Sequence, residues 1–378
     1  MSRTRARLTG LLACALLIAG VVLVPVASGA VKPRFWGLNF AFYDDITHGD
    51  AALLKDAHVR SMRFTITWKA VQPQAPPVPG QQPTSNWDKT DALFTRLATL
   101  GIQPRPLIFG SPPWVNGPTD LNGVTEATPP VGTASARGYW RSFVAEAVNR
   151  YKPGGAFWTG PFASQHPGVK PTPVHLWQVW NEPNIAGFFA PAPSVTKYAK
   201  LLEIAHHAIV GADPSAKVAL AGMPGHVKLP GPEFLRQLYA IHGIKRDFDM
   251  VAAHPYGPTV AAIKHEVGTF RKAMHKGHDS HTPLWISETS WSSAPKDATA
   301  INQGLKGQAR MLKQTLHMYA HHRKRWKLNQ VSWFDLHDPN PFPKAQCEWC
   351  QHAGLVNYHG QAKPAWNAFR KFTDAAAR

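Results

Sequence analysis

The run His175-Leu176-Trp177-Gln178-Val179-Trp180-Asn181-Glu182-Pro183-Asn184 constrains this chain more than any other stretch. Its apolar, aromatic first half reads as a buried strand, and the proline after Glu182 stops any ladder there. A carboxylate at the end of a buried strand is costly unless it is paired, solvated or used. Pro283-Leu284-Trp285-Ile286-Ser287-Glu288-Thr289-Ser290-Trp291 repeats the form, again ending an apolar run on a glutamate. One Asn-Glu-Pro alone is an ordinary strand-to-loop turn. Two matching runs place two glutamates at the C-terminal ends of two buried strands.

The rest of the chain alternates in the same way. Strands are predicted over 35–42, 59–68, 102–109, 175–180, 217–222, 249–254, 283–288 and 331–336. Helices are predicted over 49–57, 87–100, 134–151, 194–211, 232–241, 259–275, 301–324 and 364–377. Asn86-Trp87-Asp88 is read as capping the second helix and Gly101 as stopping it. The stretches 72–83, 115–133 and 152–173 are Gly/Pro-rich and are expected as loops; the second is long enough to suggest a functional role. Strands alternating with helices imply a parallel sheet. Eight such units imply a closed (β/α)8 barrel in one domain, with its site at the strand C-termini. The open doubly wound alternative lacks a Gly-rich phosphate loop after the first strand.

Residues 1–30 are set apart from this pattern. Arg3, Arg5 and Arg7 precede a largely apolar Leu8–Val26, and Ser28-Gly29-Ala30 offers small residues for cleavage, as in a secretory signal peptide. An uncleaved membrane anchor is the alternative. Taking 30 from 378 leaves 348 residues for the barrel, 31–378; with three arginines and no acid removed, the net charge goes from +18 to +15. That surplus suits solubility or anionic surroundings such as cell-surface polymers. Nucleic acid is not expected, because the charge is scattered and no recognition motif accompanies it. In an exported chain Cys347 and Cys350 read as a local disulfide, with a metal site involving His352 and His359 as the competing reading.

Paired carboxyls at a barrel mouth suit glycosidic bond cleavage, where one protonates the leaving oxygen and the other attacks or activates water. Here the sequence resembles the clan A retaining glycoside hydrolases, which include families 5 and 39. The resemblance runs from about Trp36 to Phe369 and is carried by the strand-end motifs. It implies that Glu182 is the acid/base, Glu288 the nucleophile and Asn181 a contact to the sugar 2-hydroxyl. Neighbouring strand residues point to opposite faces, so Asn181 and Glu182 can share the site only if the strand is irregular there. By the same resemblance Arg63 supports the nucleophile, Tyr256 lays its hydroxyl against it, His254 contacts substrate and Trp333 floors the sugar site. The alternative for Arg63 and His254 is a structural role, and Trp333 can equally belong to the core. Trp114, Trp291, Trp68 and Trp349 fall at strand ends or mouth loops, as candidate subsite walls.

The resemblance implies a double-displacement hydrolase of an oligosaccharide or polysaccharide that needs no metal or organic cofactor. A family 39-like enzyme on β-linked glycans is the first expectation and a family 5-like endoglycanase the second. A glycan- or cell-wall-binding protein on an inactive barrel is the reading from another class. The position of Glu182 relative to Glu288 discriminates between them.

Overall fold

The computed structural model describes residues 31–41, 46–78, 80–116, 125–340 and 347–377. The segment 1–30, and with it the expected signal peptide, lies outside the described residues, as does much of the long loop after the third strand. Among the described residues eight parallel strands alternate with eight principal helices. They run β1 (Trp36–Phe40), α1 (His48–Asp56), β2 (Ser61–Thr67), α2 (Asp88–Thr99), β3 (Gln103–Phe109), α3 (Ala134–Tyr151), β4 (Leu176–Val179) and α4 (Val195–Ala212). The second half follows as β5 (Lys217–Ala219), α5 (Gly231–Tyr239), β6 (Val251–Ala253), α6 (Val260–Lys276), β7 (Leu284–Ile286), α7 (Gly304–His322), β8 (Leu328–Trp333) and α8 (Pro364–Ala377).

Strand order in the sheet is β5-β4-β3-β2-β1-β8-β7-β6. The two ends meet through bridges from Ala219 to Met250 and from Pro224 to His254, which close the expected (β/α)8 barrel. Leu220 N–H donates to Met250 O at 2.9 Å and Asp249 N–H to Val218 O at 2.8 Å along this join.

Strand periodicity sorts side chains between two compartments. On β2, Arg63, Thr65 and Thr67 turn inward and line the mouth cavity. Met62, Phe64 and Ile66 turn outward and are buried beneath the helices, with Phe64 edge-on to Phe94 of α2. Leu176, Ala219, Met250, Ala252 and Trp285 form a small separate apolar cluster. Beside it, Gln330 Nε2 donates to Ser61 Oγ at 2.7 Å and Trp285 Nε1 to Ser332 Oγ at 3.1 Å. Helix starts follow the side-chain oxygens available: Thr133 accepts from Ala136 N–H, Ser194 from Lys197 N–H and Thr259 from Ala262 N–H. Gly101 ends α2 with φ of 65°, a conformation glycine adopts without steric cost.

Two sequence expectations are corrected. The stretch 152–173 is not plain loop but carries two short helices, Ala156–Thr159 and Pro161–Gln165. Phe157, Trp158 and Phe162 are buried there, Phe157 and Trp158 packing against Phe94 and Phe157 also against Tyr151, so burial of aromatic surface organises a Gly/Pro-rich segment. The last strand starts earlier than expected and stops at Trp333. Phe334, Asp335 and Leu336 leave the ladder; Leu336 N–H donates to Asn39 O at 3.1 Å instead.

Tyr198 on α4 ties this scaffold to the barrel mouth. Its buried hydroxyl donates to Val179 O at 3.2 Å and accepts from Ala221 N–H at 2.7 Å. Tyr198→Phe strands the buried Ala221 N–H, and urea unfolding is expected to show a loss of about 1–3 kcal/mol.

Candidate active site

Glu182 reaches the mouth because the backbone breaks its alternation after β4. Trp180 has φ of 71° and Glu182 φ of 41°, both uncommon for residues with a side chain. Trp180 is held there by its indole N–H on Phe188 O at 2.7 Å, and Glu182 by its own N–H on Gly222 O at 3.0 Å. With the alternation broken, Asn181 and Glu182 both line one cavity of about 1020 Å³.

Glu288 follows β7 and faces Glu182 across this cavity. A carboxylate oxygen from each, together with a ring nitrogen of His254, lie within 4.8 Å of one another. Both glutamates are buried. Arg63 Nη1 donates to Glu288 Oε1 at 2.7 Å, and Tyr256 Oη donates to Glu288 Oε2 at 2.8 Å. The same guanidinium donates to Asn39 Oδ1 at 2.8 Å, to Gln178 Oε1 at 2.6 Å and to Asn181 Oδ1 at 2.9 Å. His254 Nδ1 lies 2.8 Å from Glu182 Oε1, and its Nε2 lies 3.4 Å from Glu288 Oε1.

These neighbours separate the two carboxyls electrostatically. Burial pushes both up from the usual carboxylate range. At Glu182 the negative charge of Glu288 adds to burial. At Glu288 the Arg63 charge and the Tyr256 hydroxyl oppose it. The proton shared by the pair therefore resides on Glu182, leaving Glu288 ionised. Burial holds His254 well below the ordinary imidazole value, so its ring is neutral. A neutral ring with its proton on Nε2 fits both contacts, accepting from protonated Glu182 at Nδ1 and facing ionised Glu288 through N–H. Two carboxylates and an imidazole also satisfy the spacing of a metal-ligand set. Here, however, Glu288 is already neutralised by a buried arginine, which disfavours a second cation.

Asn181, Arg63 and Tyr256 line the cavity with the two glutamates, whereas His254 lies directly behind them, fully buried. Trp333, Trp291 and Trp114 stand elsewhere than expected. Trp333 is fully buried, its indole N–H directed to Ala353 O at 3.4 Å. Trp291 is also fully buried, bonded to Thr315 Oγ1 at 2.9 Å. Trp114 packs edge-on to Trp68 and Tyr139 and donates to Gln72 O at 3.0 Å. Indole surface at these positions was claimed by the core. Besides Tyr256, the rings of Trp349, Phe334, Phe109 and Phe188 line the cavity. Cys347 and Cys350 form the expected disulfide and stand beside Trp349 on the same wall.

Sequence reasoning passed over Asn39, Gln178 and Gly222. The first two were visible as polar residues inside apolar strands. Gly222 gave no signal of its own, yet a Cβ there would lie 1.9 Å from His254 Nε2 and 2.5 Å from Ser287 Oγ.

No protein-family model matches the chain and no curated protein matches it in sequence. Solved structures do. A monomeric β-xylosidase from Caulobacter crescentus superposes with a TM-score of 0.64 at 22% identity, over 90% of this chain and 68% of that one. A family 39 glycoside hydrolase from Bacteroides cellulosilyticus gives 0.64 at 17% identity, over 90% and 64%. An intracellular xylanase from Thermoanaerobacterium saccharolyticum gives 0.56 at 14% identity, over 90% and 98%. The barrel is thus the one found in family 39 and related glycoside hydrolases, in keeping with the clan A resemblance of its strand-end motifs.

Gly222→Ala is expected to displace His254 and lower whatever turnover the site supports by at least tenfold, with little loss of helical circular dichroism. Tyr256→Phe removes a hydrogen bond that holds the Glu288 carboxyl down. The acid limb of the pH–activity profile, where the nucleophile becomes protonated, is therefore expected to move to higher pH.

Proposed function

We propose that this chain is a retaining glycoside hydrolase that cleaves β-linked glycans by double displacement. The observation that carries the reading is the pair of facing carboxyls, Glu182 and Glu288, with oxygens within 4.8 Å and only Glu288 hydrogen-bonded by Arg63 and Tyr256. Retaining enzymes hold their carboxyls about 5–5.5 Å apart, and inverting ones about 6.5–9.5 Å to admit a water. The short separation favours retention.

In the first step a Glu288 oxygen bonds to the anomeric carbon as the glycosidic C–O bond breaks. The departing oxygen takes the proton of Glu182. Glu182, now ionised, removes a proton from water, whose oxygen attacks the anomeric carbon and expels Glu288. The sugar leaves with its configuration retained, and both glutamates return to their starting states. Arg63 keeps Glu288 ionised between turnovers, while Asn181, fixed by Arg63 Nη2, presents its remaining amide to the substrate.

Polar residues on the cavity floor and aromatic walls suit a carbohydrate, whose hydroxyls need partners and whose C–H faces pack on rings. The solved β-xylosidase and xylanase neighbours favour a pentose- or hexose-containing β-glycan. Export to the cell surface is part of the proposal and is supported by the pattern of residues 1–30 and by the disulfide. No helix among the described residues is long and apolar enough to cross a membrane.

The test is a panel of aryl β-glycosides and polysaccharides assayed for chromophore and reducing-sugar release, with product anomers followed by proton NMR. Expected is a β-anomer as first product, loss of all turnover in Glu288→Gln, and a fall of about 10²–10⁴ in Glu182→Gln on poor leaving groups. An initial α-anomer would overturn the double displacement. Glycan binding without turnover, equal in wild type and Glu288→Gln, would make the chain a binding protein. The pH profile should be bell-shaped: activity fails at low pH as Glu288 gains a proton and at high pH as Glu182 loses its own.

A further inference from the structure

A second cluster of ligand-type side chains lies at the far end of the barrel. His206 and His207 are on α4, in its C-terminal half, and Asp247 lies in the turn that leads into β6. Helices of this barrel run back from the strand C-termini, so both positions belong to the face opposite the mouth. One ligand atom from each of the three residues lies within 4.8 Å of the other two. His206 Nδ1 is 3.8 Å from Asp247 Oδ1, too far for a hydrogen bond, and this ring nitrogen is buried with no hydrogen-bond partner. A buried imidazole nitrogen left without a partner is unusual in a folded chain.

We propose that His206, His207 and Asp247 bind a zinc-class divalent cation. Two imidazoles and one carboxylate are the ligand set that late first-row dications prefer over magnesium or calcium. Metal–ligand bonds of about 2.0–2.2 Å require the three atoms to draw together by small side-chain rotations. His207 is exposed and free to make that movement, whereas His206 and Asp247 are half-buried. Glu203, one helical turn before His207, and Asp249 act electrostatically on this cluster in favour of a cation, opposed by Arg246 beside Asp247. The ligands come from either side of the join between β5 and β6, where the barrel is closed by bridges alone. A bound ion would cross-link that join. Its role is structural, and the proposal is independent of the reaction at the mouth.

The test uses the full chain stripped with chelator and titrated calorimetrically with zinc chloride, with cobalt as a spectroscopic reporter. Expected is one equivalent of zinc, visible cobalt d–d bands, and an unfolding midpoint raised by about 3 °C at zinc a hundredfold above its Kd. His207→Ala, at an exposed position that should not disturb folding, and Asp247→Asn should each weaken zinc at least tenfold. Glu182→Gln should leave it unchanged, which separates this site from the glutamates and histidine at the mouth. Absence of a one-equivalent binding step would overturn the proposal. So would zinc binding that survives in both His207→Ala and Asp247→Asn, which would assign it to other histidines, or binding lost in Glu182→Gln.

Discussion

The candidate site depends on the placement of one guanidinium. Arg63 on β2 commits four of its five N–H donors to Asn39 on β1, Gln178 on β4, Asn181 just beyond β4, and Glu288 beyond β7. A buried arginine is tolerated only when its donors are satisfied and its charge is met, and both conditions are fulfilled by residues from separate strands. The converse also holds. Glu288 is tolerable in its buried position because Arg63 is there, so the barrel must close in the right register before either charge is safe. Assembly of the site and closure of the barrel are thus one event.

Around this polar knot the cavity is walled by apolar side chains, among them Leu107, Ile185 and Val227 with the aromatic rings. Low-dielectric walls strengthen every charge interaction inside them. Such walls divide two chemically identical glutamates into a proton donor and an anion: burial acts on both and the Arg63 charge reaches both, but only Glu288 accepts hydrogen bonds from Arg63 and Tyr256. His254, neutral and fully buried, stands between them and adds no charge of its own.

Much of this could be read from the chain. Alternating apolar runs and capped helices gave eight strands, eight helices and two glutamates at strand ends, because those signals are local and periodic. The cavity-facing roles of Tyr256 and Arg63 came from the resemblance to clan A glycoside hydrolases. The tryptophans were harder. Trp333, Trp291 and Trp114 fall at strand ends or mouth segments, as Trp349 does on its loop, yet their indoles pack against the core and Trp349 lines the cavity. Sequence carries no sign of that choice, which is made by whichever neighbour supplies a partner for the indole N–H: Ala353 O, Thr315 Oγ1 and Gln72 O in these three cases. The positive φ angles at Trp180 and Glu182 were equally hidden. Neither residue type announces a left-handed conformation, and only the requirement that Asn181 and Glu182 share a face hinted at one.

The join between β5 and β6 has a mechanical consequence. A tube slit along its length loses most of its resistance to twist, because shear no longer passes around the wall. This barrel has ladders at seven of its eight strand junctions and only bridges at the eighth. Glu182 follows β4 and Glu288 follows β7, each one strand back from that join, so torsion about the join also changes their separation. Besides the backbone hydrogen bonds of those bridges, two side-chain contacts button the join. Lys217 Nζ meets Asp249 Oδ1 at 2.9 Å where the strands begin, and His254 meets Glu182 at 2.8 Å where they end. The upper button is a member of the candidate site itself. Protonating or displacing that histidine would therefore alter the compliance of the whole cylinder as well as the local field.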